Sequence, residues 1–264
     1  MKQVLLTGGA GGIGLAVSKY FSQKGWKVFS CDIAPQKTAD KNIIPIKMDI
    51  TSGRSVAEAR TQVERETDHL DVIINLAGIY IMDSLVEVPE EDFMGIFNIN
   101  VNGAYRINKE FLPFVKNGGR IIIITSELAY LDPLPFNGIY SITKTTLEAY
   151  AQSLRLELML LDIPVITIRP GPVDTKLLKN SVSSMEKMCK NTRLYRANAA
   201  KIRNIMDKKF GRSMSPEKLA DIVYRVAISR QPRASYTVGA GLPLRLFSAL
   251  PTGTQAALLK KLMK

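Results

Sequence analysis

Two residues of this chain are spaced for proton chemistry, Tyr140 and Lys144. On a helix, residues four apart lie on one face, a single turn from each other. An ammonium held beside a phenol favours the phenolate, so the spacing predicts a tyrosine pKa drawn down toward the working pH. A tyrosine in that state passes protons to and from a substrate oxygen. Spacing alone does not single out the pair, because Tyr20/Lys24 and Tyr105/Lys109 repeat it. The setting does. Upstream lies Ile121-Ile122-Ile123-Ile124, a β-branched run that reads as a buried strand and ends in Thr125-Ser126. A loop containing Pro and Gly then leads into a helix predicted over 138–162. Ligands of a parallel sheet bind at the carboxyl ends of its strands, so Ser126 and Tyr140 are expected to converge on one oxygen.

The elements that would position these groups begin at the N-terminus. Val4-Leu5-Leu6 reads as a short buried strand, followed by Thr7-Gly8-Gly9-Ala10-Gly11-Gly12-Ile13-Gly14 and an amphipathic helix to about Lys24. Strand, glycine turn and helix in that order make the motif informative. Glycine permits the tight turn, and the helix N-terminus offers free N–H groups and a positive dipole end to a pyrophosphate. A second strand over 27–31 ends at Asp32, eighteen residues after Gly14. A carboxylate there accepts the adenosine ribose hydroxyls and repels a 2′-phosphate. No Arg or Lys stands at position 9 or 33, so NAD is expected over NADP. A third strand over 43–48 closes at Asp49-Ile50, expected to flank the adenine. A charged helix over 54–68 precedes a fourth strand, Val72-Ile73-Ile74, which runs into Asn75-Leu76-Ala77-Gly78.

A helix expected over 89–116 carries Asn98, Asn100 and Asn102. Asparagine is a poor helix former, so three within five positions point either to packing and capping or to a kink with a water-holding side chain. After the central helix, a strand over 165–169 runs into Pro170-Gly171-Pro172-Val173-Asp174-Thr175. Alternating strands and helices over 175 residues predict the α/β class, a doubly wound parallel sheet (Rossmann fold) covered on both faces. The length of 264 residues and 46% hydrophobic content suit one large domain spanning 1–264. Within it, residues 176–213 are expected to form a helical substrate lid. Ile202, Ile205, Met206 and Phe210 fall at helical spacing there, and Met185 and Met188 supply soft, adaptable surface.

Together these residues resemble the short-chain dehydrogenase/reductase family across 1–175. The resemblance rests on T-G-x-x-x-G-x-G at 7–14, Asp32, Asn-Leu-Ala-Gly at 75–78, Asn100-Val101-Asn102-Gly103, Ser126, Tyr140-x-x-x-Lys144, and Pro170-Gly171 with Thr175. It implies metal-free hydride transfer, with Tyr140 as general acid/base and Ser126 holding the substrate oxygen. Lys144 would lower the tyrosine pKa and bind the nicotinamide ribose, and Asn100 would anchor a proton-relay water. Gly8, Gly12, Ile13, Gly14, Asp32, Asp49, Ile50, Asn75, Ala77, Gly78, Pro170, Gly171, Val173 and Thr175 would line the cofactor, with Thr175 on the carboxamide. The sequence departs from the family pattern in two places. Leu76 replaces a common Asn, and Ser126 precedes Tyr140 by fourteen residues, one more than the commonest spacing, with Ala129 where Gly is frequent. The loop through Leu131-Asp132-Pro133 is therefore expected to be reshaped. Within the family, residues 232–239 resemble the hydroxysteroid and retinol dehydrogenase branches. The family habit of pairing through long helices implies a homodimer or homotetramer.

Charge divides the chain unevenly. Residues 1–175 carry 17 basic and 20 acidic side chains, whereas 176–264 carry 19 and 4. Such a bias marks either a solvated face or an anionic partner. Nucleic acid is not expected, as no zinc-finger or RNP-like pattern occurs. The tail, residues 242–264, mixes leucines with Arg245, Lys260, Lys261 and Lys264 and is interrupted by Pro251 and Gly253. It reads either as an interfacial segment touching anionic membrane or as a subunit contact. With one histidine and two distant cysteines, neither a His/Cys metal site nor a disulfide framework is expected. No signal peptide and no spanning segment are read, so a cytoplasmic protein is expected, at most peripheral at the membrane. The leading expectation is an NAD-dependent oxidoreductase of secondary alcohols and ketones on lipophilic, steroid-like or retinoid-like molecules. Its rivals are a 3-oxoacyl/3-hydroxyacyl thioester oxidoreductase and a non-catalytic dinucleotide-sensing protein.

Overall fold

Among the described residues a seven-stranded parallel sheet carries the fold, the third strand of the chain at one edge and the seventh at the other, with the first and fourth paired near its middle. The computed structural model describes residues 1–132, 134–199, 201, 203–204, 213–239, 241 and 246–263. The strands are β1 (Gln3–Thr7), β2 (Lys27–Asp32), β3 (Ile43–Lys47), β4 (Leu70–Asn75), β5 (Val115–Ile124), β6 (Val165–Pro170) and β7 (Ser235–Val238). Both faces are buried, which explains the near-continuous apolar runs. Alternation then sorts the side chains. Leu5, Ile73, Ile121 and Ile123 face one helical layer with Ala59, Ile107 and Leu147. Leu6, Ile74, Ile122 and Ile124 face the other with Val17, Phe21, Leu219 and Val223. The chain reverses direction across the sheet between β1 and β4, which pair directly from Val4↔Val72 to Leu6↔Ile74. Such a reversal opens a crevice at the strand carboxyl ends.

Helices α1 (Gly12–Gln23) and α7 (Pro216–Ile228) cover one face; α2 (Gly53–Glu64), α4 (Gly103–Phe111) and α5 (Gly138–Leu158) cover the other. Helix α2 stops at Glu64, short of the expected 68, where the backbone N–H groups of Glu66 and Thr67 both turn back to the Val63 carbonyl. The single helix expected over 89–116 is instead α3 (Glu90–Phe97), a π-turn over Asn98–Asn102, and α4, with β5 already begun at Val115. The three asparagines therefore mark the place where the helix widens. Helix α6 (Lys176–Asn191) opens the segment expected to form a lid, and α8 (Thr252–Met263) closes the described chain. The apolar row Ile202, Ile205, Met206 and Phe210 lies outside the described residues, as do Leu242, Leu244 and Arg245 of the tail. Among the described residues no helix is long and apolar enough to cross a membrane.

Candidate active site

Thr7 closes β1 by accepting hydrogen bonds from the backbone of Leu76 and Ala77 on its hydroxyl, at 3.1 and 3.0 Å. The glycine turn is thereby held against the end of β4. Gly8 sits at φ +73°, where an L side chain is strained, and a methyl group on it would meet Ala77 Cα at 3.0 Å. Helix α1 starts at Gly12 with neither a capping side chain nor an acidic residue in its first turn, leaving N–H groups and dipole open to an anion. Asp32, at the end of β2, accepts from the Ala10 N–H at 2.9 Å and from the Ala34 N–H at 3.0 Å. The acid is thus tied to the glycine turn itself. On the other side, a methyl on Gly12 would touch Thr175 Cγ2 at 2.9 Å. Val173 and Asp174, on the loop leading to Thr175, are held by Met214. The glycines thus let the turn pack closely against the β4 end and Thr175, and the open N–H groups of α1 together with the Asp32 carboxylate fit a nicotinamide dinucleotide.

Other expected cofactor residues sit differently. Asn75 is buried with its amide turned under the sheet, donating to Asn108 Oδ1 at 2.7 Å, while its own Oδ1 has no partner among the described residues. Only the backbone after it faces the crevice. Asp49 spends Oδ1 on closing a turn with the Thr51 N–H and hydroxyl. Ile50 packs against Gly103 and gives its carbonyl to Arg106. Pro170 and Gly171 end β6, where the Gly171 N–H donates to the Val238 carbonyl.

The proton-transfer group assembles deeper. Ser126, Tyr140 and Lys144 are all buried, and Lys144 Nζ donates to the Ile124 carbonyl at 3.2 Å. Lys144 Nζ lies 5.7 Å from the Tyr140 ring centre. The other two Tyr/Lys pairs have similar spacings, 5.4 and 5.8 Å, but different surroundings. Tyr20 gives its hydroxyl to Asp221, and Tyr105 is exposed. Asn100 projects from the π-turn. Its Oδ1 accepts from the Ile79 N–H at 2.8 Å, and its amide donates to the Ile79 carbonyl and to Thr143 Oγ1. A methyl on Gly78 would lie 3.1 Å from Asn100 Oδ1 and 3.5 Å from Lys144 Nζ, so these atoms line one space. Both amide protons of Asn100 are committed, and a relay water there has only its remaining Oδ1 lone pair to use.

The electrostatics overturn one expectation. Tyr140 is not drawn down; burial pushes its phenol up to about 12, against a hydrogen bond from Ser126 that lowers it. Burial also brings Lys144 down to about 8, opposed by the charge of Glu148. For Tyr140 desolvation outweighs the lowering effect of Ser126. At neutral pH the site therefore holds a neutral phenol and a protonated lysine.

The reaction end is walled by Tyr80, whose ring lies 4.6 Å from that of Tyr140 and whose hydroxyl donates to Asn137 Oδ1. Behind Tyr80 comes an apolar cluster of Met82, Met185 and Met188 with Phe136, Val182 and Met263. Met185 and Met188 are packed as core in this cluster. Sequence reading also passes over the closing contribution of α8: Gln255 donates to Asp132 Oδ2 at 2.6 Å, and the Met263 carbonyl accepts from Asn198 at 2.6 Å. Asp132 belongs to the loop expected to be reshaped, and it anchors the tail helix.

A family model for short chain dehydrogenase matches residues 2–186. The chain belongs to that family. Among short-chain dehydrogenases it is 26% identical to the uncharacterized oxidoreductase YusZ of Bacillus subtilis, over 98% of each chain. It is 26% identical to a 3-ketodihydrosphingosine reductase of Bacteroides thetaiotaomicron, over 89% of this chain and 87% of that one. A crystal structure of a short chain dehydrogenase family protein from Francisella tularensis superposes with a TM-score of 0.75 at 26% identity, covering 90% of this chain and 97% of that one.

Proposed function

We propose that this short-chain dehydrogenase interconverts a ketone and a secondary alcohol on a lipophilic substrate, using NAD, and that its residues are poised for the reductive direction at neutral pH. The observation that carries the reading is the buried trio of Ser126, neutral Tyr140 and charged Lys144 at the carboxyl ends of the strands. Ser126 and Tyr140 hold the carbonyl oxygen, and the phenol delivers the proton that the oxygen needs as carbon is reduced. The bound dinucleotide supplies the hydride. Asp32 supports NAD, because its carboxylate stands beside the glycine turn where a 2′-phosphate would be repelled. Tyr80 supplies an apolar wall, backed by Phe136 and the buried methionine cluster, suited to steroid-like, retinoid-like or acyl-chain ketones. The relative named as a 3-ketodihydrosphingosine reductase supports a lipid ketone in particular, which keeps the 3-oxoacyl alternative in view.

The purified protein, with NADH and NADPH in parallel, is to be screened against ketosteroids, retinal, long-chain ketones and 3-oxoacyl thioesters, beside Tyr140→Phe. Turnover with an apolar ketone, reduced roughly 10²-fold or more in Tyr140→Phe, is the expected outcome. Near-normal turnover in that variant, or activity on small polar carbonyls alone, contradicts the reading.

A further inference from the structure

One turn beyond Lys144 on α5 stands Glu148, a carboxylate with four hydrogen bonds. It accepts from Thr125 Oγ1 at 2.6 Å, from Thr167 Oγ1 at 3.2 Å, and from Arg169 through Nε and Nη2, both at 2.8 Å. The arginine contact is the two-pronged fork that a guanidinium makes with a carboxylate, strong and orientationally strict. Thr167 and Arg169 belong to β6. Thr125 lies between Ile124, whose carbonyl receives Lys144 Nζ, and Ser126, whose hydroxyl lowers the Tyr140 phenol against its burial. Arg169 in turn lies 5.3 Å from the centre of the Tyr130 ring, just past the turn that Ser126 caps. One carboxylate thus ties α5 to the two strand ends that carry the site.

We propose that Glu148 and Arg169 are a positioning pair for the catalytic lysine: the carboxylate fixes Lys144 and Ser126 in register and presents a negative charge to Lys144, while Arg169 limits how much of that charge the lysine feels. The inference rests on Lys144 serving the proposed oxidoreductase. The pair touches neither substrate nor reacting atoms, so it acts through Lys144 and Ser126. Glu148 holds the lysine's proton against desolvation, and Arg169 heads the interactions that keep Glu148 ionised. Among the described residues, the other groups facing Lys144 and the pair are Tyr140 and Arg155 on α5, Asn100 on the π-turn and Gly78 after β4. Tyr80 stands behind Tyr140, and Glu127 follows Ser126 with its carboxylate on the Gly241 N–H. The two charges act on Lys144 in opposite directions, and the forked geometry fixes how far each one reaches.

The test is the titration of Lys144 in cofactor-free protein, followed by NMR of lysine labelled at Cε and assigned with Lys144→Met. In Glu148→Gln, which keeps the shape but loses the charge, Lys144 is expected to release its proton about one pH unit lower. In Arg169→Gln the negative charge is unopposed, and the titration is expected to move up. The alkaline limb of kcat/KM should follow each shift. Arg169→Lys keeps the charge but loses the fork, so kcat should fall roughly tenfold while the titration stays in place; this variant carries the test should Arg169→Gln not fold. Shifts of the same sign in the two Gln variants, unmoved titrations, or a titration displaced in Arg169→Lys would overturn the proposal. If Lys144 titrates as expected and no carbonyl is reduced, the oxidoreductase reading fails and the pair stands. If Tyr140-dependent turnover is found with an unmoved titration, the pair alone falls.

Discussion

Lys144 and Tyr140 divide the pH scale between them. Tyr140 keeps its proton up to about 12, so its own ionisation does not limit proton donation at ordinary pH. Lys144 is the group that titrates nearby, at about 8. Carbonyl reduction is therefore expected to be level below that value and to decline above it, as the site loses the positive charge that stabilises a developing oxyanion. The stability contribution runs the other way. The folded pKa of Lys144 lies below its ordinary 10.5, so between about 8 and 10.5 the unfolded chain holds a proton that the folded chain has released. Stability relative to Lys144→Met should then rise with pH across that window while activity falls. Parallel pH series of kcat/KM and denaturant unfolding check both signs; an activity limb with no matching change in stability would detach the titration from Lys144. Asp32 makes a second residue-scale case. Asp32→Ala removes both the acceptor for the ribose hydroxyls and the repulsion toward a 2′-phosphate, so KM for NADH should rise and the ratio favouring it over NADPH should fall by about tenfold or more. A protein that already prefers NADPH in steady-state kinetics would refute the assignment.

At the scale of elements, the site depends on a helix that is not regular. The π-turn over Asn98–Asn102 aims Asn100 at the Ile79 backbone, where it satisfies a half-buried N–H and C=O at once. Asn100→Ala leaves both without their partner, at a cost of roughly 2 kcal/mol or more. It also frees the loop that carries Gly78 beside Lys144. Denaturant unfolding should show the loss, and turnover should fall with it; unchanged stability would mean that the loop is held elsewhere. How much of this is legible in the sequence follows from how local each signal is. The glycine turn, Asp32 and Tyr140-x-x-x-Lys144 can be read because each is a short spacing on one element or one junction. Asparagines at 98, 100 and 102 announce an irregularity, but only the backbone shows it to be a π-turn that ends well before Lys116. Asn75 is harder to place from the sequence, because pleating turns its amide to Asn108 of α4, 33 residues away. Glu148 is invisible for a different reason: its partners stand 19 to 23 residues away on other elements, and no spacing rule joins them.

The whole molecule shows its asymmetry in the tail. Helix α8 folds back on its own chain through Gln255, which is buried, and through Met263, which joins the methionine cluster behind Tyr80. It leaves Leu258 and Leu262 exposed, as are Leu246 and Leu250 just before it in the chain, and Lys260 and Lys261 are exposed as well. Exposed leucines of this kind need a cover. A second subunit is one and an anionic bilayer surface is the other. Near such a bilayer each lysine contributes about 1 kcal/mol and salt would weaken the attachment. The inner contacts make Leu258 and Leu262 part of a docked helix with fixed spacing, as a subunit contact requires, so we expect an oligomer. Light scattering of the full chain and of a chain ending at Leu250 decides the matter, with vesicles of anionic and of neutral lipid sedimented beside both. The expected result is an oligomer that loses subunits on truncation and ignores both vesicles. The truncated chain should also show a raised KM for apolar ketones, because the methionine cluster has lost its cover. Sedimentation with anionic vesicles that weakens in salt and vanishes on truncation, from a protein that scatters as a monomer throughout, would instead assign these leucines and lysines to the membrane surface.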